Sequence, residues 1–373
     1  MAGTDTKTIL HLIDTTGPGG AETVFINLLK ELQQTRFRNV VVLRGEGWVA
    51  DQVRAVGITP RFINSKGSFN LGYIGGLRRL VAEERVELIH AHLLGSNVYG
   101  ALLALIYRKP MIATFHGAVD VAAGERFLRA KFGIIGCGAS AIVCVSKRLQ
   151  EELAERSSLP ARKLHLIYNG VDPELFCRAP ASGLKEELGL PPESNLVVSI
   201  GNIRPAKGYD HLVDAAVKMV NLDPNTHFVV VGHQRPALFE KLKEQMAGSA
   251  QQPRIHWLGF RQDVVDVLRQ ADIFLLPSTS EGFSISTVEA MMAEVPIIAT
   301  RSGGPEEIIS DGKTGLLIPI RDPDAIVSAI QRLNNRELRQ QVTEQALKSA
   351  KTRFSLASML HAYQGLYERY TQR

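Results

Sequence analysis

Two glutamates eight positions apart, Glu281 and Glu289, lie in the stretch Leu275 to Gly304, LLPSTSEGFSISTVEAMMAEVPIIATRSGG. Leu275 and Leu276 end an apolar run that Pro277 stops, and Ser278 to Gly282 is polar turn chemistry. Ser284 then fits as the N-cap of a helix from Ile285 to Ala293. A helix start beside Gly282 presents unused backbone N–H groups and the positive end of the helix dipole, which suits a phosphate. Helical side chains lean toward the N-terminus, so Glu289 can reach back to a ligand there, and Glu281 meets it from the loop. Anion donors flanked by two carboxylates describe a site for phosphates and many hydroxyls together, as in a nucleotide sugar. The same residues also describe an ordinary capped helix with solvated acids.

Three other clusters can do chemistry. Arg204 and Lys207 leave the run Asn195 to Ile200 in Gly201-Asn202-Ile203-Arg204-Pro205-Ala206-Lys207-Gly208. A guanidinium fork and an ammonium point charge side by side can clamp a diphosphate, or stand as two ordinary surface cations. His116-Gly117 follows the run Met111 to Phe115, and His90 and His92 follow Val86 to Ile89. His116 can hydrogen-bond a hydroxyl from a loop that Gly117 lets turn, or be a plain polar loop residue. Gly17-Pro18-Gly19-Gly20-Ala21-Glu22 lies between a strand-like and a helix-like run, but Glu22 stands where a dinucleotide fingerprint has its third glycine. Two further sets point to no metal. Asp322-Pro323-Asp324 reads as a helix start, with Asp322 as cap and Pro323 at the first position. Cys137, Cys144 and Cys177 have no CxxC pair and no histidine at ligand spacing, and read as reduced thiols of a cytoplasmic protein.

These groups need elements to place them. The 373 residues exceed one ordinary core, and 45% hydrophobic with 22% charged residues describes a globular chain. Apolar runs at Thr8–Ile13, Asn39–Leu43, Thr59–Ile63, Val86–His90, Met111–Phe115, Ala141–Val145 and Leu164–Ile167 alternate with helical periodicity. After the turn Asn169-Gly170-Val171-Asp172 and the patternless Pro180–Pro192, a second series follows: Asn195–Ile200, His227–Gly232, Arg254–Leu258, Ile273–Leu276, Pro296–Thr300 and Gly315–Ile318. Regular alternation predicts α/β architecture with two doubly wound parallel sheets, divided as residues 1–175 and 176–355, and the remaining residues 356–373 follow the second. No run is long enough to span a bilayer, and the start lacks the pattern of a signal peptide. The net charge of +5 lies in the first half, with 21 Lys and Arg against 16 Asp and Glu in residues 1–175. That balance argues against a nucleic-acid partner and fits an anionic substrate, peripheral contact with an acidic membrane on the inner face of the cell, or simply a slightly basic solvated surface. Val121 to Ile135, with Arg126, Arg129 and Lys131 among apolar residues, fits such a contact or a core-facing helix with snorkelling cations.

Taken together, Gly19-Gly20-Ala21-Glu22, His116-Gly117, Asn169-Gly170-Val171-Asp172, Arg204 with Lys207, the Glu281/Glu289 pair, and Gly303-Gly304 with Glu307 occur in one order. In that set the chain resembles family four of the retaining glycosyltransferases, over essentially its whole length. The resemblance implies a GT-B fold, with two Rossmann-like domains facing across a cleft and the last helix crossing back to the first. It implies transfer of a hexose-type sugar from a nucleoside diphosphate, UDP by frequency, to an acceptor hydroxyl of a sugar or lipid-linked sugar, without a metal or other cofactor. By position it assigns the diphosphate to Arg204 and Lys207, the ribose to Glu289 and the transferred sugar to Glu281. Gly282, Phe283 and Ser284 would support sugar and phosphates, Phe260, Arg261 and Gln262 would border the base, Gly19 and Gly20 would approach the donor phosphates, and His116 the sugar's outer hydroxyls. A sugar-nucleotide epimerase and a non-catalytic nucleotide-sugar-binding subunit are the alternatives on the same fold.

Overall fold

The computed structural model describes residues 6–64, 70–117, 125–178, 183–249, 252 and 254–372. The chain forms two compact units: Met1–Gly170 together with Leu356–Arg373, and Val171–Ser355. The division falls inside the Asn169–Asp172 turn, five residues before the expected end of the first domain at 175. There the Val171 N–H donates to the Phe354 carbonyl at 2.9 Å, so the chain entering the second unit is tied to the chain leaving it.

In the first unit seven parallel strands, β1 (Lys7–Leu12), β2 (Phe37–Leu43), β3 (Arg61–Phe62), β4 (Leu88–His92), β5 (Met111–Phe115), β6 (Ala141–Cys144) and β7 (Leu164–Leu166), lie in the order β3-β2-β1-β4-β5-β6-β7. The apolar runs of β1, β4, β5 and β6 are buried on both faces, as the middle of a sheet covered by helices on both sides requires, while the edge strand β3 is exposed. Strand β4 runs to His92, so His90 and His92 lie inside the strand and wholly buried, not beyond its end as the hydropathy suggested. The reason is the partner across the sheet face. In the final helix, Leu356–Thr371, the Tyr367 hydroxyl lies 2.7 Å from His90 Nδ1, and the Tyr370 hydroxyl donates to the Ser140 carbonyl at 3.0 Å. Tyrosines whose hydroxyls find polar partners can be buried whole, and Tyr363 and Tyr367 are.

In the stretch Val121 to Ile135 the helix begins at Leu128, and Phe127 before it takes a left-handed backbone (φ 57°). It turns Phe132 and Ile135 inward and leaves Arg126, Phe127 and Arg129 exposed, while Lys131 pairs with Glu125. Val121 to Gly124 of that stretch lie outside the described residues. None of the described helices is long and apolar enough to cross a membrane.

The second unit holds six parallel strands, β8 (Asn195–Ile200), β9 (Thr226–Val231), β10 (Ile255–Gly259), β11 (Ile273–Leu276), β12 (Ile297–Thr300) and β13 (Leu316–Ile318), in the order β10-β9-β8-β11-β12-β13. Its core packs Val197, Phe228 and Leu275 of the sheet against Leu212, Ile326 and Ile330 of the covering helices. The strand order reverses between β8 and β11, so the loops after these two strands open side by side, where sheets of this kind receive ligands. Asp322 and Asp324 work apart: Asp322 Oδ1 caps the helix Pro323–Arg332 through the Ala325 N–H at 2.9 Å, and Asp324 meets Lys218 at 2.5 Å.

Candidate active site

The loop after β8 carries Arg204 and Lys207, and the loop after β11 carries Glu281. They meet because of Gly208, whose backbone is left-handed (φ 64°); a Cβ there would sit 2.1 Å from the Pro277 carbonyl oxygen. The Thr279 N–H then donates to the Ala206 carbonyl at 2.8 Å, clipping one loop to the other. Across this seam Lys207 Nζ lies 2.5 Å from Glu281 Oε1, with both side chains largely withdrawn from water. The wholly buried Ser278 donates its hydroxyl to the same oxygen at 2.8 Å, and its own carbonyl accepts the Thr300 hydroxyl at 2.5 Å. Glu281 is held by its backbone as well: its N–H donates to Ser302 O at 2.9 Å and its carbonyl accepts the Gly304 N–H at 3.0 Å. Gly304 lies so close that a Cβ would come within 2.7 Å of Gly282 O, which explains a glycine there.

Ser284 caps the helix Ile285–Met292, accepting the Thr287 N–H at 3.3 Å and the Thr287 hydroxyl at 2.8 Å. The first-turn N–H groups have no intrahelical acceptor and face the loop ahead of the helix. One turn further on, Glu289 is half-buried, and its carboxyl hydrogen-bonds none of the described residues. Burial alone pushes this carboxyl up to about 7. A desolvated acid without a partner is destabilising unless a ligand completes it, which marks a functional position. Arg204 is exposed and pairs with no described side chain. Phe260 stacks on His233 at 4.7 Å and 11°, partly open to solvent. Arg261, expected at a nucleobase, instead has its guanidinium bound to Asp263 (2.5 Å) and Glu187 (2.5 Å), so its side chain braces the loop that carries Phe260 and Gln262.

The first unit sets Gly19, Gly20 and His116 at the carboxyl ends of its strands. Gly19 is the N-cap and Gly20 the first residue of the helix Gly20–Leu32. A Cβ on Gly19 would lie 2.4 Å from Glu22 Oε2, so the glycine lets the Glu22 carboxylate fold onto the helix start. His116 follows β5, its ring stacked on His92 at 5.4 Å and 28°, with His92 Nδ1 and His116 Nε2 3.2 Å apart. Burial pulls His116 down to about 4, so it is neutral near pH 7.

Two family models match the chain in succession: Glycosyltransferase Family 4 over residues 18–175 and Glycosyl transferases group 1 over residues 183–349. The chain belongs to the family 4 glycosyltransferases. It is 26% identical over 307 residues to the N-acetyl-alpha-D-glucosaminyl L-malate synthase of Bacillus anthracis, covering 80% of this chain and 79% of the relative. It is 24% identical to the UDP-Gal:alpha-D-GlcNAc-diphosphoundecaprenol alpha-1,3-galactosyltransferase of Escherichia coli, across 85% of each chain. The crystal structure of Anabaena HepE in complex with UDP and glucose shares the fold at a TM-score of 0.86 and 23% identity, covering 97% of this chain and 100% of that one. The protein is thus a glycosyltransferase of GT-B fold.

Within this transferase, Lys207, Glu281, Ser284 and Glu289 gather at the β8/β11 edge of one unit, and His116, Gly19 and Gly20 at the strand ends of the other. The role of Ser278 escaped the sequence reading, which had only the polar turn Ser278 to Gly282. Ser278 sits three residues before Glu281 in a turn full of serines, where nothing singles it out. Among the described residues, ring nitrogens of His11, His90 and His92 lie within 4.8 Å of one another. They do not make a ready metal site, because His90 has both nitrogens engaged, Nδ1 with Tyr367 Oη at 2.7 Å and Nε2 with Thr114 Oγ1 at 2.8 Å.

Proposed function

We propose that this transferase moves a hexose-type sugar from UDP to an acceptor hydroxyl, with the anomeric configuration retained and without a metal ion. The observation that carries the reading is the Lys207–Glu281 pair at 2.5 Å, set at the same sheet edge as the capped helix start at Ser284. The leaving group is a diphosphate, so the main catalytic need is to stabilise negative charge developing on its oxygens. Lys207, Arg204 and the first-turn N–H groups supply that potential, which a divalent cation supplies elsewhere. The bond from the anomeric carbon to the diphosphate oxygen breaks, leaving a short-lived oxocarbenium-like sugar. The acceptor oxygen bonds to the same face, and its proton passes to the departing phosphate oxygen. Glu281, fixed by Ser278 and by its own backbone, orients the sugar; Glu289 takes the ribose hydroxyls and His116 an outer hydroxyl of the sugar. The choice of UDP is supported by the donor in the name of the E. coli relative, and a sugar or lipid-linked sugar acceptor by the same name.

Two measurements test this. Transfer should persist in excess EDTA, and a complete loss restored by added metal would overturn the metal-free reading. In a melting-temperature panel of nucleotide sugars, a UDP-sugar at 100 times its dissociation constant should stabilise the fold by about 2.7 kcal/mol through mass action. A shift with GDP- or ADP-sugars alone would refute UDP.

A further inference from the structure

We propose that His227 and His256 form a binding site for a divalent transition metal ion, with Zn²⁺ as its type, on the edge of the second unit's sheet and apart from the transfer chemistry. Strands β9 and β10 run parallel with Ile255 opposite Phe228, and both of these side chains belong to the core that holds Leu212 and Ile330. His227 precedes Phe228 and His256 follows Ile255, so alternation along each strand puts the two imidazoles together on the opposite face. β10 is the outermost strand of the sheet, and both histidines are half-buried.

His227 Nδ1 and His256 Nε2 lie 3.0 Å apart, with ring centroids at 5.3 Å and ring planes inclined by 35°. Two imidazole nitrogens about 2.0–2.1 Å from one metal ion stand roughly 2.9 Å apart at a right angle and roughly 3.3 Å apart at the tetrahedral angle. The observed separation falls inside that range. Without a metal, one N–H lies between these two atoms, since two bare lone pairs so close would repel. That proton has another place to go. The outer nitrogens, His227 Nε2 and His256 Nδ1, hydrogen-bond none of the described residues, and each neutral imidazole can carry its proton there instead. Both inner lone pairs are then left to the ion, and rings that are only half-buried have room to tilt toward it.

The surroundings permit a cation. Burial lowers the proton affinity of both imidazoles, so neither is charged near pH 7 and no proton competes with the metal there. Arg254 and Asp223 act on His227 with opposite sign, and the Asp223 carboxylate is fixed by the Thr226 hydroxyl at 2.6 Å and the Asn225 N–H at 3.0 Å. Imidazole ligands select Zn²⁺, Ni²⁺ or Cu²⁺ over Mg²⁺ and Ca²⁺, which take oxygen. Among the described residues no third His, Cys, Asp or Glu joins the pair, so the other positions of the ion are left to water. The pair sits near the amino ends of β9 and β10, whereas Arg204, Lys207 and Glu281 follow the carboxyl ends of β8 and β11. An ion here ties the edge strand to its neighbour and takes no part in transfer, so the expected persistence of transfer in EDTA is unchanged.

The test is a titration of the full chain, labelled with 15N in its histidine rings, with Zn²⁺ alone. The exposed thiols Cys137 and Cys177 are first replaced by serine so that they do not compete for the ion. The signals of His227 Nδ1 and His256 Nε2, identified by their disappearance in His227→Ala and His256→Ala, should move together as one equivalent of Zn²⁺ is added. Mg²⁺ at the same concentration should move neither. Calorimetry of the two variants supplies the second arm. Each should weaken Zn²⁺ binding by at least about 100-fold, because losing merely an outer partner of a metal ligand costs roughly 10- to 100-fold. Zn²⁺ binding that both variants keep at full affinity would place the ion elsewhere and overturn the proposal. Ring signals that stay fixed under Zn²⁺, or that respond equally to Mg²⁺, would overturn it without any variant.

Discussion

Arg204→Ala and Lys207→Ala are each expected to lower turnover on the order of 100-fold, the usual consequence of removing one preorganised charge from a site where negative charge develops. The two variants should differ in everything else. Arg204 is exposed and pairs with no described side chain, so its removal should leave the melting temperature unchanged. Lys207 faces Glu281 at 2.5 Å, and without it the largely buried Glu281 carboxylate keeps, among the described residues, only the Ser278 hydroxyl on its side chain. Leaving that charge uncompensated should cost about 1–3 kcal/mol of stability. The double variant Lys207→Ala/Glu281→Gln should recover stability, because no charge is then left uncompensated, while turnover stays low because Glu281 also serves the sugar. Turnover of Lys207→Ala within about 3-fold of wild type would remove it from the chemistry.

The same loops show why some of the site was legible before the fold and some was not. Arg204, Lys207, Glu281 and the Ser284 cap announce themselves through local chemistry: strand ends, turn residues and a hydroxyl ahead of a helical run. The sheets were legible for a similar reason, since apolar runs of four to seven residues separated by helical periodicity have few other solutions. What escaped depends on a partner distant in sequence. His90 and His92 looked like the polar tail of a strand because the hydroxyls that permit their burial, Tyr367 and Tyr363, come more than 240 residues later. The resemblance sets Arg261 beside the base, and the ion pair that holds its guanidinium, with Glu187 74 residues away, is not visible in the sequence. The raised proton affinity of Glu289 could not be read from its neighbours in sequence, because desolvation is set by the packing around the helix.

That raised affinity makes Glu289→Gln the most informative single change. A carboxyl with an unfolded value of 4.5 and a folded value of about 7 adds nothing to the pH dependence below 4.5, where both states are protonated. Between these values the unfolded chain has released the proton while the folded one keeps it, so stability falls as pH rises, by up to about 1.4 kcal/mol per pH unit. Above the folded value the penalty is complete, on the order of 3 kcal/mol in the unliganded protein. Glu289→Gln removes it, so the variant should melt higher than wild type at pH 8 and close to it at pH 4.5. Donor binding should move the other way. An ionised carboxylate accepting ribose hydroxyls makes charge-assisted bonds, and the amide should lower affinity for the donor about 10- to 100-fold at pH 8. Wild-type affinity should fall about tenfold per unit below pH 7, while the variant stays flat. At pH 7 binding to wild type should also release about half a proton, visible as a dependence of calorimetric heat on the buffer's ionisation enthalpy. A variant that melts lower than wild type at pH 8, with its donor affinity intact, would make Glu289 an ordinary structural acid. Opposite shifts in stability and affinity would mean that the fold carries an unfavourable buried acid whose compensation is the ligand itself.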